Sequence, residues 1–449
     1  MDIGTLSLIL LLGMLVLLAI GMPLGFASGF LAVAVLMMKF GPDLLFRSFG
    51  TGPLNILAQR IYGLTTDYVI ISVPLFIFMA SLLERSGIAN DMYNSLNIWL
   101  SRTRGGIAIV TAIMAIIMAA MSGIIGGEVV LLGLIALPNM LRLGYNQNLA
   151  IGTICASGSL GTMIPPSVVV VIYASVAQMS VGQLFAGILL PGVIMIGLFL
   201  GYIVIRCVLR PEDGPPAVSK DDDTPLGQKL WVTLTALLPA TGLIVAVLGS
   251  IMVGIASPTE AASVGALGAI VLTVAYGRFN TEMAIDTLKR TLLINCMIMM
   301  IVVGGTMFAA IFQVHGGHRL VGNVVDYLDL APAAMLVMML LIVFLAGFIL
   351  DWVSVVLICL PIFLPLIKSI GVDPIWFAVL MIIVIQTSYL TPPMAPSIFY
   401  LRSIAPPEIG YRDMYMGVAP FVVCQVLVLV LVVLFPALAE YLPAQFSAF

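Results

Sequence analysis

The sequence predicts an all-α polytopic membrane protein built from two similar halves with discontinuous transmembrane helices. Three observations carry that prediction. Of the 449 residues, 62% are hydrophobic and 9% charged, with a mean hydropathy of +1.20; a soluble domain is about 25% charged. Apolar segments long enough to cross a bilayer recur along the whole chain. In each half, one such segment is broken by clustered prolines flanked by hydroxyls. So much apolar surface cannot be hidden from water, so the surrounding solvent is lipid.

Taken in order, the first apolar run covers 5–38. It is too long for one straight crossing at about 1.5 Å per residue, and Gly21-Met22-Pro23 reads as a break between two short helices. It has no basic leader region and continues into more apolar sequence, so it reads as a membrane anchor rather than a cleaved signal. Further segments follow near 66–84, 105–121, 124–141, 147–177, 184–208, 230–252, 256–276, 292–314, 331–350, 352–367, 375–403 and 415–436. The less apolar stretches 92–104 and 280–290 read either as lying on the membrane interface or as ordinary loops with helical turns. The one strongly polar linker, 209–229, divides the chain into a first membrane repeat, 1–208, and a second, 230–449. Its basic residues favour the cytoplasmic face, and its acidic run opposes that assignment.

The halves resemble each other at an offset of about 230 residues. "GTMIPPSVVVVIYAS" (161–175) pairs with "LTPPMAPSIFYLRS" (390–403), and "MASLLERSG" (79–87) with "FAAIFQVHG" (308–316). At a slightly shorter offset, Ser122-Gly123, Glu128 and Pro138 recur as Ala346-Gly347, Asp351 and Pro361. Matched breaks in two halves point to the central site of a secondary transporter. A helix interrupted within hydrocarbon leaves peptide groups unpaired at a cost of several kcal/mol each, tolerable only inside protein or beside an aqueous cavity. There its carbonyls can coordinate a cation and its N–H groups an anion. Proline removes a donor and restrains the residue before it, so Pro165-Pro166 and Pro392-Pro393 predict unwinding. Gly161, Thr162, Ser167, Thr391 and Ser397 complete the candidate binding set, with the hydroxyls of Thr162 and Thr391 as candidate cation ligands.

Glu128, Glu260 and Asp351 are carboxylates in otherwise uncharged apolar runs. Such groups are expensive unless paired or facing a polar cavity. Helix-end capping, cation ligation and protonation are the roles open to them; Ser257-Pro258-Thr259 ahead of Glu260 favours capping there. The five cysteines are scattered without metal spacing, and the two histidines, His315 and His318, find no third ligand and read as loop residues. No Walker, zinc-protease or hydrolase signature occurs, and no basic nucleic-acid patch accompanies the net charge of −3. The chain reads as no enzyme, with no cofactor beyond a coupling ion.

The motifs "GGEVVLLGLIALPNMLRLGY" (126–145), "GTICASGSLGTMIPPS" (152–167), "GIASPTEAASVGALGA" (254–269), "DWVSVVLICLPIFLPL" (351–366) and "QTSYLTPPMAPSIFYLR" (386–402) together resemble the large, DctM-type membrane subunit of tripartite ATP-independent periplasmic (TRAP) transporters, over nearly the whole chain. The resemblance implies inverted repeats, two re-entrant hairpins, two unwound helices and an elevator-type motion. It implies a bacterial inner-membrane location, sodium symport of an organic anion, often a carboxylate, with Thr162 and Thr391 as the sodium candidates, a separate small four-helix membrane subunit and a periplasmic substrate-binding protein. It places Ser122-Gly123 and Ala346-Gly347 at the hairpin tips. Where many members have a Ser-Gly-Ser-Ser tip, this chain has Ser122-Gly123-Ile124-Ile125, so a sialate or C4-dicarboxylate substrate does not transfer from the resemblance. A stand-alone ion-coupled carrier or antiporter is the alternative function; a non-transporting scaffold gives no reason to unwind two buried helices.

Overall fold

In the computed structural model, the structure describes residues 3–41, 54–123, 126–217, 225–317, 319, 322 and 330–446. Among them are nineteen α-helices, three short 3-10 turns and no strand. The N-terminal run is the expected pair, α1 (Ile3–Ala19) and α2 (Leu24–Phe40), parted before Pro23. Then come α3 (Leu54–Thr65), α4 (Ser72–Arg85) and α5 (Ile88–Leu100). A first hairpin, α6 (Gly106–Ser122) and α7 (Gly127–Arg142), leads to a broken span, α8 (Gln147–Gly158) and α9 (Val168–Ala177), and to the long α10 (Val181–Leu209). After the linker come α11 (Leu226–Met252), α12 (Pro258–Ala275) and α13 (Thr281–Val314). The order then repeats. There is a hairpin, α14 (Pro332–Ala346) and α15 (Trp352–Ser369), and a broken span, α16 (Pro374–Ser388) and α17 (Pro396–Arg402), before α18 (Tyr411–Leu434) and a terminal α19 (Ala437–Phe446). Six of these helices are long and apolar enough to span a membrane, or seven if α3 with the α4 span, bent by 56°, counts as one.

Local chemistry starts these helices where the repeat demands. Asn146 accepts from the Asn148 and Leu149 amides at the head of α8 (3.0 and 3.3 Å), and Asp373 from Ile375 and Trp376 at the head of α16 (2.8 and 3.0 Å). Each such cap stabilises its helix by about 1 kcal/mol. Ser257 and Glu260 form a reciprocal capping box with Pro258 in the first turn of α12.

The two halves are inverted. Gly105 and Asn146, at the open base of the first hairpin, donate to Gly214 and Asp213 beyond the end of α10 (2.8 and 3.0 Å). The base of the second hairpin lies at the other end of α10. There a Cβ on Gly187 would meet Ile375 and the Ala439 carbonyl at 3.1 and 3.2 Å, and the Trp376 indole donates to the Val432 carbonyl at 2.8 Å. An α10 of 29 residues rises about 43 Å, so the hairpins enter from opposite faces.

Two stretches differ from expectation. Residues 280–290 are not a separate interfacial segment. Asn280 caps a helix there, accepting from the Met283 amide at 2.7 Å, and α13 then runs unbroken for 34 residues because no proline interrupts it. The span expected at 66–84 starts earlier, at Leu54, and bends where Asp67 accepts the Val69 amide at 2.9 Å. Residues 218–224 of the linker lie outside the described residues, as do Ile124-Ile125 and His318. His315 ends α13 and its Nδ1 lies 2.8 Å from the Ile311 carbonyl, a helix-end contact rather than a metal site.

Candidate functional site

The two broken spans lie side by side, and one side chain ties them. Gln386, fully buried on α16, accepts a hydrogen bond at Oε1 from the Thr162 hydroxyl and donates from Nε2 to the Ser159 hydroxyl at 2.7 Å. Both partners are themselves fully buried in the first break. Thr162 ends a 3-10 turn that starts at Leu160 and includes Gly161, and the Ser167 hydroxyl closes the loop on the Thr162 carbonyl at 3.0 Å. Pro165-Pro166 and Pro392-Pro393 are both cis. The chain leaves α-helical geometry between Gly158 and Val168, and again between Ser388 and Pro396.

The breaks differ in burial. Pro165, Pro166 and Ser167 are inside the protein, whereas Pro392, Pro393 and Met394 are exposed and Thr391 is half-buried. The Thr391 hydroxyl donates within its own half, to the Thr387 carbonyl at 2.7 Å, and does not join the Gln386 bridge. Ser397 lies in the first turn of α17; its hydroxyl is buried with no partner among the described residues, as are those of Thr153 and Ser157 on α8. The Cys155 thiol donates to the Ser397 carbonyl at 3.7 Å, which holds α17 against α8.

Each hairpin tip rests on a break. Gly123 caps α6 with φ +59°, a left-handed turn that favours glycine. A Cβ there would lie 2.3 Å from the Pro166 carbonyl, and the Gly123 carbonyl accepts the Val168 amide at 3.1 Å. The first tip is therefore fastened to the head of α9. At the second tip, a Cβ on Gly347 would lie 2.2 Å from the Ser388 hydroxyl, so the glycine lets α14 reach the end of α16.

The three carboxylates part company. Asp351 is the N-cap of α15: it accepts the Val353 amide at 3.3 Å and the Ser354 hydroxyl. Glu260 is exposed, held in its capping box away from the breaks by the Ser257 amide and hydroxyl (2.8 and 2.7 Å). Glu128, in the first turn of α7, is 2% exposed, and its Oε2 has no hydrogen-bond partner among the described residues. It lines a small cavity of about 20 Å³ with Ser122 and Glu84. Glu84 accepts from Arg290 at 3.0 Å, and that pair borders a larger cavity of about 330 Å³ beside Gly126, Gly127 and Tyr400.

The sequence reading missed Gln386, Ser159 and the Glu84–Arg290 pair. Gln386 did carry a signal, an amide at the end of the apolar run "FAVLMIIVIQ". Chemically, Thr162 and Thr391 offer hydroxyls whose protons go to neighbours. Their lone pairs stay free for a cation, beside backbone that is not committed to a helix.

The family model for the DctM component of tripartite ATP-independent periplasmic transporters matches residues 11–438. The C4-dicarboxylate TRAP transporter large permease protein DctM of Pseudomonas aeruginosa is 29% identical over 420 residues, covering 92% of this chain and 93% of that protein. The ectoine TRAP transporter large permease protein TeaC of Halomonas elongata is 28% identical over 430 residues, covering 96% and 97%. The crystal structure of the Alcanivorax borkumensis YdaH transporter, described as having an unusual topology, shares the fold. Its TM-score is 0.58 at 16% identity, over 97% of this chain and 99% of that one.

Proposed function

The chain belongs to the DctM component family of tripartite ATP-independent periplasmic transporters, and from that premise we propose that it couples sodium entry to uptake of a small organic anion, a carboxylate, delivered by a periplasmic binding protein. As a multi-pass large permease subunit, it would work in the bacterial inner membrane beside a small four-helix membrane subunit. The observation that carries this reading is the pair of broken spans, bridged by Gln386 and each capped by a hairpin tip. Sodium would meet Thr162, the unpartnered Ser397 hydroxyl and nearby carbonyls at the breaks, with Thr391 on the more open side. Ser122, Gly123 and Gly347 bring the tips to the same region, and the unwound N–H groups would face the anion.

Orientation supports the reading. Among the described residues, Arg102, Arg104, Arg142, Arg206 and Arg210 gather at the linker end, and the opposite end holds fewer basic residues, Arg60 and Lys368 among them. Basic loops face the cytoplasm, so the first hairpin opens inward and the second outward. The exposed face of the second break needs water or another chain beside it, because bare peptide groups are not tolerated against lipid.

The test is uptake into proteoliposomes of a panel of carboxylates, with and without the small subunit and the binding protein. Sodium-dependent uptake requiring both proteins is the expected result. Uptake unchanged when choline replaces sodium would remove the coupling claim. Full transport by this chain alone would favour the stand-alone carrier.

A further inference from the structure

The inversion pairs two spans that no comparison singles out. The bent span of α3 and α4 runs antiparallel to α13, so the start of each touches the end of the other. Where α13 starts, Arg290 donates to Glu84 at the end of α4, at 3.0 Å. Where α13 ends, Gln313 accepts from Arg60 on α3, at 3.3 Å. Gln313 is the repeat counterpart of Glu84, and Arg60 that of Arg290, at the same offset of about 230 residues that relates the halves. The two contacts are one motif seen twice, once at each face of the membrane. They differ in charge: the inner arginine meets a carboxylate, with a second ion pair, Arg85–Asp286 at 2.9 Å, on the same two helices, and the outer arginine meets a neutral amide.

Each pair borders a cavity. The inner one, of about 330 Å³, lies against the start of α7. The outer one, of about 440 Å³, is lined by Arg60, Gln313, Asp67, Ser175 and the Pro361–Pro365 side of α15. Arg60 is exposed, and Gln313 is the sole hydrogen-bond partner of its guanidinium among the described residues. Among the described residues, Asp67 is the acidic side chain lining that cavity. Both its oxygens are engaged elsewhere, Oδ1 by the Val69 amide at 2.9 Å and Oδ2 by the Ser175 hydroxyl, and its charge sits at the start of the turn leading into α4, where the helix dipole offsets it.

We propose that the outer cavity is an anion-capture mouth in which Arg60 receives the carboxylate of the incoming solute, while at the inner mouth Glu84 occupies Arg290 and so leaves that mouth without attraction for the released anion. The proposal rests on the organic-anion reading and on the orientation given above. An anion in the outer cavity would replace the amide oxygen of Gln313 with a charged acceptor, which a guanidinium binds more strongly and in two-point geometry. At the inner mouth, the same anion would have to displace a carboxylate already in place. The asymmetry therefore concentrates the anion at the outer mouth and not at the inner one, while the direction of net uptake is set by the coupling gradient.

The test uses charged thiol reagents, so it needs no knowledge of the solute. In the full-length chain with Cys296 and Cys424 replaced by serine, Ala309→Cys places a thiol in the outer cavity, one turn from Gln313. Leu131→Cys places one in the inner cavity. Reaction rates are measured with anionic sulfonatoethyl methanethiosulfonate and cationic trimethylammonioethyl methanethiosulfonate at low ionic strength. At Ala309→Cys the anionic reagent should react faster, and Arg60→Gln should lower the anionic-to-cationic ratio by roughly tenfold. Arg60→Lys, which keeps the charge, should retain the ratio and show that the scaffold is intact. At Leu131→Cys there should be no anion preference until Glu84→Gln creates one. A ratio at Ala309→Cys that does not respond to Arg60→Gln, or a thiol there that neither reagent reaches, overturns the proposal. These rates do not depend on sodium or on transport, so failure of the uptake assay and failure of this assignment are separate results.

Discussion

Replacing Gln386 by leucine keeps the volume of the side chain and removes both arms of the bridge between the broken spans. In this structure the bridge is two hydrogen bonds among fully buried groups, Thr162 to Oε1 and Nε2 to Ser159. Interhelical hydrogen bonds in membrane proteins average about 0.6 kcal/mol and reach about 1.7. The Ser159 hydroxyl keeps a partner in the Ala156 carbonyl at 2.8 Å, so its loss lies at the lower end. Thr162, left without its acceptor, lies at the upper end. Gln386→Leu should therefore cost about 1–3 kcal/mol, and Thr162→Val about 0.6–1.7 kcal/mol. The informative quantity is their coupling. Because one bond is shared, the double variant should be less destabilised than the sum of the single ones by about 0.6–1.7 kcal/mol. Equilibrium unfolding of the four proteins in bicelles, followed by tryptophan fluorescence, gives that number. Additivity to within about 0.3 kcal/mol would show that Thr162 and Gln386 do not interact in the folded protein, and the bridge would have to be abandoned as the link between the halves.

Three further outcomes are expected. Thr162→Val and Thr391→Val should each raise the sodium concentration for half-maximal uptake by roughly tenfold, about 1.4 kcal/mol of lost ligation, and an unchanged value in both would exclude these hydroxyls as ligands. Gly123→Ala should abolish transport while the protein still inserts in the membrane, because the new methyl would meet the Pro166 carbonyl at 2.3 Å from a left-handed backbone; near-normal uptake would mean that the first tip is not seated on α9. Ser257→Ala should lower unfolding stability by about 1 kcal/mol and leave the sodium dependence untouched, since its capping box with Glu260 stands away from the breaks; a shifted sodium requirement would place α12 in the ion path.

Local chemistry made part of this protein legible. Two adjacent prolines stop a helix whatever surrounds them, so both breaks could be placed from Pro165-Pro166 and Pro392-Pro393. Ser257-Pro258-Thr259-Glu260 is a helix start in any context, and the capping role followed from four consecutive residues. The anchor-like first segment divided at Gly21-Met22-Pro23 for the same reason.

What the sequence by itself determined was the solvent, the helical class, the duplication and the places where helices stop, because each depends on composition or on neighbours a few positions apart. Only the tertiary structure decided which residues meet. Gln386 reaches Thr162 across 224 positions, and Arg60 reaches Gln313 across 253. It also made two breaks of similar sequence unequal, burying Pro165-Pro166 and exposing Pro392-Pro393, and it set Glu260 apart from Glu128, though both read as acids in apolar runs. The physical reason is that burial and hydrogen-bond partnership belong to the packing of helices far apart in the chain. In an apolar sequence nearly every helix face is equally fit to be packed, so hydrophobic periodicity cannot say which face finds which partner.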